Sequence, residues 1–284
     1  MIDASGGPLY ELPDDAPPGA SPVGQPRAAA RDDRGRPTTS VGRPRAALMI
    51  TCLGDALFPA VGLAAVKVLE KLGVAVDFPG GQTCCGQPAF NSGYRDDARR
   101  AARAFVRAFA GSQSVVSVSG SCAAMVREHY PRLFAGQPEE AAATALAART
   151  YEFSEYLVDV LQVENLPVAF KGKATMHHSC HTLRLLGVAE QPERLLQMVD
   201  GLEYVPLARA RVCCGFGGTF AVKMPAISTA MVDEKVDHVL ETGAGVLVGL
   251  DMSCLMNIDG RLRRRGCAMP VKHLAEVLAE GWRA

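Results

Sequence analysis

Two Cys-Cys-Gly tripeptides, Cys84-Cys85-Gly86 and Cys213-Cys214-Gly215, stand 129 residues apart, and no other feature of the chain constrains its fold as much. Two single cysteines recur at nearly the same offset. Cys180 follows Cys52 by 128 residues, and Cys254 follows Cys122 by 132. Within each half, 31 and 32 residues separate the first cysteine from the pair, and 36 and 39 separate the pair from the last cysteine. A matched order at a near-constant offset is the mark of an internal duplication. The chain is therefore expected to fold as two similar halves, residues 46–150 and 151–284, each carrying four cysteines.

The pattern between the cysteines predicts the fold class. Ala47-Leu48-Met49-Ile50-Thr51 is a short apolar run that reads as a buried strand. Val61, Ala64, Ala65, Val68, Leu69 and Leu72 then recur at helical spacing, with Gly73 as the stop. Residues 74–78 predict a second strand. A helix carrying Ala98, Ala101, Ala102, Phe105 and Phe109 inward follows, and residues 115–118 predict a third strand. The second half repeats the order. A strand leads into His177-His178-Ser179-Cys180, a helix is expected over 182–200, a strand over 204–207, a helix over 225–242 and a strand over 245–250. Strands alternating with helices predict an α/β fold with parallel sheets. Groups that act in such sheets gather beyond the carboxyl ends of the strands, where Cys52, Cys122, Cys180 and Cys254 all fall.

Residues 1–45 are rich in Pro, Gly, Ala, Asp and Arg without an apolar pattern, and are expected to form a disordered tail. Lys plus Arg and Asp plus Glu both number 30, so nothing in the charge favours nucleic acid or an anionic membrane as partner. No apolar run approaches the ~20 residues of a spanning helix. The start lacks a basic stretch followed by an apolar core, so no secretory signal and a cytoplasmic location are expected. Thiols stay reduced there, and clustered cysteines are more often metal ligands or catalytic groups than disulfides.

Thiolate sulfur is a soft donor suited to zinc or to iron–sulfur clusters, and cluster iron is usually held by four thiolates. Structural zinc favours Cys-x-x-Cys knuckles, and the chain has none. A vicinal pair can reach two atoms of a larger cluster where the backbone bends. The candidate ligands are Cys52, Cys84, Cys85 and Cys122 in the first half, and Cys180, Cys213, Cys214 and Cys254 in the second. One or two iron–sulfur clusters per chain are expected. A redox-active dithiol at either pair stays open. Cys267 has no counterpart and reads as a packed thiol.

The segments TCLGDALFPAVG, FPGGQTCCGQPAFNSGYRDDA and SGSCAAMVREHYP, with HHSCHTLR, RVCCGFGGTFAVKMP and DMSCLMNIDG in the second half, carry a resemblance. They resemble the cysteine-rich CCG-domain proteins, a group that includes components of heterodisulfide reductase and of glycolate oxidase, and within it the lactate utilization protein A family. The resemblance spans about residues 46–284. It implies an iron–sulfur electron-transfer component in an oxidoreductase that turns L-lactate into pyruvate together with two partner proteins. The heterodisulfide reductase pattern closes each half with Cys-x-x-Cys, whereas Met125 and Asn257 stand at those closing positions here. Each half thus offers four thiolates and not five, so the non-cubane cluster of that relative is not carried over and a [4Fe-4S] cluster is the simpler match. The ferredoxin-like Cys-x-x-Cys-x-x-Cys run of the glycolate oxidase iron–sulfur component is missing too. A thiol–disulfide oxidoreductase and a zinc-stabilised interaction scaffold are the other two readings.

His177, His178 and His181 flank Cys180 and are candidates for metal ligation or proton transfer. His129, His238 and His273 read as surface or capping residues. Gly215-Phe216-Gly217-Gly218 lacks a dinucleotide or phosphate-loop ending and reads as backbone packed close to a cluster. Arg95, Arg99, Arg103 and Arg107 recur every four residues, as a solvated face or as a ridge for an acidic partner. No residue stands out as a general base for lactate.

Overall fold

The computed structural model describes residues 43–283. The tail expected over residues 1–45 lies, as far as residue 42, outside the described residues, and Arg45 already pairs with Ala75 in a sheet. The first sheet contains β1 (Arg45–Met49), β2 (Ala75–Asp77), β3 (Val115–Ser117) and β4 (Thr150–Glu152). The second contains β5 (Ala169–His177), β6 (Asp200–Tyr204), β7 (Val246–Gly249) and β8 (Val271–His273). Every pairing is parallel. The orders are β2-β1-β3-β4 and β6-β5-β7-β8, the same path drawn twice. The α/β duplication expected from the cysteines is therefore present in the topology.

Parallel strands need crossover connections, and the helices that supply them cover both faces of each sheet. Successive strand residues point to opposite faces, so β1 shows how the core divides. Ala46, Leu48 and Ile50 face one way, against Val61, Ala65, Val68 and Leu69 of the helix Pro59–Lys71. Ala47 and Met49 face the other way, against Ala98, Ala102 and Phe105 of the helix Arg95–Ala108. The first of these clusters continues into the second half. It includes Ala174, Met176, Val246 and Val248 of the second sheet, and Leu274, Val277 and Leu278 of the helix Leu274–Glu280. The helices Pro59–Lys71 and Leu274–Glu280 pack together, and Lys67 Nζ donates to the Ala279 carbonyl at 2.7 Å. At about 1.5–3 kcal/mol for each large apolar side chain buried, this common core joins the halves into one body. Each half keeps an outer core of its own, built in the second around Val232, Val236, Leu247, Leu255 and Ile258.

Three expectations need correction. The helix expected over 182–200 is two pieces. A π-helical turn, Thr182–Leu186, stops at Gly187, and a separate helix runs Glu190–Gln197. Pro192 is the reason. In a continuous helix it would break an internal hydrogen bond, whereas in a first turn its missing N–H costs nothing. The strand expected over 204–207 lies earlier, at Asp200–Tyr204. The Val205 N–H still donates to the Ala174 carbonyl, and Pro206 then has no donor with which to continue the ladder. The edge strands β4 and β8 are additions to the expected set. Each has three residues and runs directly into a helix through a capping box, Glu152 with Glu155 and His273 with Glu276.

Candidate functional site

Each single cysteine lies in the first turn of a helix just beyond a central strand. Cys52 follows β1, with Thr51 capping by accepting from the Gly54 N–H at 3.2 Å. Cys122 follows β3, and its N–H donates to Ser119 Oγ at 3.4 Å. Cys180 follows β5. Cys254 follows β7 in the helix Met252–Arg264, capped by Asp251. The Cys-Cys pairs arrive on loops that turn sharply at glycine. Gly86 has φ +86°, and a Cβ there would stand 2.9 Å from the Ala98 carbonyl oxygen. Gly215 has φ +82°, with the corresponding clearance only 2.6 Å from the Ser228 oxygen. No side chain fits at either position. Both glycines donate their N–H at 3.4 Å to the first sulfur of the pair, Cys84 Sγ and Cys213 Sγ.

The Met125 and Asn257 positions, where a fifth cysteine would close the related pattern, serve other ends. Met125 is buried in the first outer core. Asn257 Nδ2 donates to the Cys214 carbonyl at 2.8 Å. In the first half Tyr130 performs that service, its hydroxyl donating to the Cys85 carbonyl at 2.8 Å.

Within each half the four thiols meet. Hydrogen bonds link Cys52 with Cys84, Cys84 with Cys85, and Cys85 with Cys122. The same chain runs from Cys180 through Cys213 and Cys214 to Cys254. The first member of each pair collects the bonds. Cys84 is pulled down to about 2 by bonds from Cys52, Cys85 and the Gly86 N–H, against the effect of burial. Cys213 is lowered to about 2 in the same way by Cys180, Cys214 and the Gly215 N–H. Cys52 and Cys180 are pushed up by donating to them, as are Cys85 and Cys214 by their bonded thiol neighbours and by burial. All nine cysteines are free thiols.

The two sets do not form two separate pockets. All eight sulfur-bearing residues line one cavity of about 360 Å³, together with Ser119, Ser121, His181, Phe216, Val222 and Asp251. Asp251 stitches the halves together beneath it. One carboxylate oxygen accepts from the Ser121 N–H at 2.9 Å and the Ser119 hydroxyl at 3.2 Å. The other accepts from the Ser253 hydroxyl at 2.6 Å and the Ser253 N–H at 3.3 Å. Nearby, a Cβ on Gly120 would stand 1.7 Å from Thr182 Oγ1, so only glycine permits this approach between the halves. Cys267 is not in the cavity wall and packs beside the second outer core.

The second set has polar neighbours that the first lacks. His177 is wholly buried, and burial, followed by the charges of Lys235 and His178, pulls its imidazole down to about 3. Lys235 is fully buried and donates to the Arg209 carbonyl at 3.0 Å, while burial lowers its ammonium to about 8. His178 Nε2 lies 2.9 Å from Glu193, which also accepts from the Tyr204 hydroxyl at 3.0 Å. His181 Nδ1 lies 3.5 Å from Cys180 Sγ. Of the other histidines, His129 stacks on Phe90, His238 pairs with Glu241, and His273 caps a helix.

Asp251, Ser119 and Lys235 were not singled out from sequence. Asp251 holds the N-cap position before an apolar run, and Lys235 shares the inward face of Pro225–Glu241 with Val232, Val236 and Val239, so both left a local signal. Most of the arginine ridge is spent inside the chain. Arg99 donates to the Leu133 carbonyl at 3.1 Å, Arg103 to Glu139 at 2.9 Å, and Arg95 lies 3.7 Å over the Phe90 ring.

Four soft sulfur donors in mutual contact, held from behind by backbone N–H groups and opening on a cavity, fit a metal ion or an iron–sulfur cluster. The cysteine-rich domain family (CCG) matches residues 46–127 and again residues 174–259, one match per half. Lactate utilization protein A of Geobacillus kaustophilus (strain HTA426) is 55% identical over 235 residues, covering 82% of this chain and 98% of that protein. Lactate utilization protein A of Exiguobacterium sp. (strain ATCC BAA-1283 / AT1b) is 53% identical over 241 residues, covering 84% and 98%. Among solved structures, a hypothetical protein from Helicobacter pylori aligns with a TM-score of 0.49 at 12% identity, over 84% of this chain and 49% of that one. With one cysteine-rich domain in each half and relatives matched along nearly their full length, the chain belongs to the cysteine-rich CCG-domain family and, within it, to the lactate utilization protein A family.

Proposed function

We propose that each set of four cysteines holds an iron–sulfur cluster and that the chain carries electrons within a complex that oxidises L-lactate to pyruvate. Cys52, Cys84, Cys85 and Cys122 would hold one cluster, and Cys180, Cys213, Cys214 and Cys254 the other. The observation that carries this reading is the convergence of all eight thiols on one cavity, in a chain whose relatives are named for lactate utilization. A bound cluster supplies one-electron redox capacity. The chain supplies the thiolates, the glycine N–H groups that orient Cys84 and Cys213, and a partly apolar wall that limits water. We take the working compartment to be the cytoplasm, where such thiols stay reduced. No helix among the described residues is long and apolar enough to cross a membrane.

The cavity wall argues for a carrier that works with partners. Among the described residues it contains no Arg or Lys to pair with the lactate carboxylate. The one carboxylate that described residues bring to it, Asp251, already accepts four hydrogen bonds from serines and is poorly placed to take a proton. Other lactate utilization proteins therefore bind and dehydrogenate the substrate. The test is iron and sulfide per chain, with a visible absorption spectrum, on anaerobically purified protein, followed by lactate-dependent dye reduction with and without the partners. Protein without iron and sulfide overturns the cluster assignment and leaves the zinc scaffold. Steady turnover of lactate by the single chain overturns the carrier role.

One observation favours a second reading. The cavity is lined by thiols of both sets and, at about 360 Å³, has room for a small substrate, which suits thiol–disulfide chemistry. Reduction of added disulfides by the reduced, loaded protein, without partners, would select it.

A further inference from the structure

His177 closes β5 three residues before Cys180, as Met49 closes β1 three residues before Cys52. The duplication has thus placed an imidazole at the second set of thiols where the first has a thioether. Met49 is satisfied where it is, packed among the apolar side chains of the first outer core. His177 is not. Both of its ring nitrogens are shut off from solvent, and neither has a hydrogen-bond partner among the described residues. Leaving such a group unmatched costs about 1–3 kcal/mol, and native interiors rarely do so without a reason such as a bound ion.

The surroundings narrow the reason. His177 is not itself part of the cavity wall, but one of its nitrogens and the sulfurs of Cys214 and Cys254, which are, all lie within 4.8 Å of one another. Metal–nitrogen and metal–sulfur bonds of roughly 2.0–2.3 Å bring donors of one centre to about that spacing or closer. The other nearby groups are already engaged: His178 with Glu193, and Lys235 with the Arg209 and Ala210 carbonyls. The imidazole is a common metal ligand and tolerates thiolate companions.

We propose that His177 is a nitrogen ligand to the centre held by Cys180, Cys213, Cys214 and Cys254, so that the second half carries a mixed nitrogen–sulfur centre beside an all-sulfur one. This rests on the iron–sulfur reading above. It makes the two centres chemically different, with five protein donors at the second against four at the first and a neutral nitrogen donor only at the second.

The experiment uses the full chain, reconstituted anaerobically with iron and sulfide and chemically reduced. Pulsed electron paramagnetic resonance then detects nitrogen bonded directly to the paramagnetic centre, with histidine carrying 14N or 15N. The expected result is a strong nitrogen coupling that changes with the isotope. It persists in Cys84→Ser, which removes a ligand only from the first set, and in His181→Ala, whose ring lies beside Cys180. It disappears in His177→Ala. The primary readout is the unsubstituted protein, so a variant that fails to fold does not decide the matter. Bound iron and sulfide without a direct nitrogen coupling overturns the proposal while leaving the cluster reading intact, as does a coupling that survives His177→Ala. Protein that binds no iron or sulfide overturns both.

Discussion

The two halves share strand order, cysteine positions and the glycine N–H bonded to the first sulfur of each pair, yet they differ at several residues around the thiols. Met49 stands where His177 does. Tyr130 holds the Cys85 carbonyl, and Asn257 the Cys214 carbonyl. Seven residues beyond the carbonyl that crowds Gly86, the first half has buried Phe105. Seven beyond the one that crowds Gly215, the second has buried Lys235. At the end of the fourth strand Glu152 caps one helix and His273 the other. Backbone geometry and sulfur placement were thus kept through the duplication, while polarity around them was redistributed. The fold fixes where the donors stand, and their neighbours decide how alike the two sites are.

The most severe test removes a donor from one half at a time. Cys84→Ser should lower iron and sulfide per chain by about the share of one cluster, and Cys213→Ser should do the same, because a missing thiolate leaves a labile site. Iron analysis of both variants decides it. If either replacement empties the whole chain, the eight cysteines build a single centre across the shared cavity.

A smaller effect tests whether the halves are separate in stability. Leu278 belongs to the second half but is buried in the core common to both sheets. Leu278→Ala should cost about 2–5 kcal/mol and lower one cooperative transition in thermal or denaturant unfolding. Two transitions, with only one displaced, would mean that the halves unfold independently.

The caps at the ends of β4 and β8 sharpen the contrast further. Burial raises the Glu152 carboxyl from 4.5 to about 8. The fold prefers its protonated form, so its contribution is present below pH 4.5 and is lost as pH rises toward 8. Burial lowers the His273 imidazole from 6.5 to about 4. Its contribution is present above pH 6.5 and is lost as pH falls toward 4. Each limb has a slope of at most about 1.4 kcal/mol per pH unit. Glu152→Gln should flatten the alkaline limb of a stability–pH profile, and His273→Asn, which keeps a capping acceptor, the acid limb. Unchanged limbs in both variants would show that other groups set them. The smallest effect belongs to Cys267→Ser. It should leave iron content unchanged and stability within about 0.5 kcal/mol, because Cys267 stands outside both matched sets of thiols and does not join the close group of His177, Cys214 and Cys254.

Much of this architecture is legible in the sequence. The apolar runs at β1, β3 and β7, the inward face of Pro59–Lys71 and the need for glycine after each Cys-Cys pair are local properties, and local patterns survive in sequence. Strands β4 and β8 are not legible, because three residues give no period to count. The break at Gly187 and Pro192 is hidden by apolar residues that continue on both sides. The shared cavity is the main thing the sequence conceals. Matched spacing shows that each half gathers four thiols, but which way the halves face depends on the helix Pro59–Lys71 meeting Leu274–Glu280 across more than 200 residues of chain, and on Gly120 fitting against Thr182. Spacing holds no record of such contacts.

That long-range contact also orders events during synthesis. The chain leaves the ribosome with its earlier residues first, so β1 and the helix Pro59–Lys71 emerge long before the helix that covers them. Until residues 274–280 have been made, the core common to the two sheets lacks Leu274, Val277 and Leu278. A chain stopped short of residue 274 should therefore present all eight thiols on a body whose common core is incompletely packed.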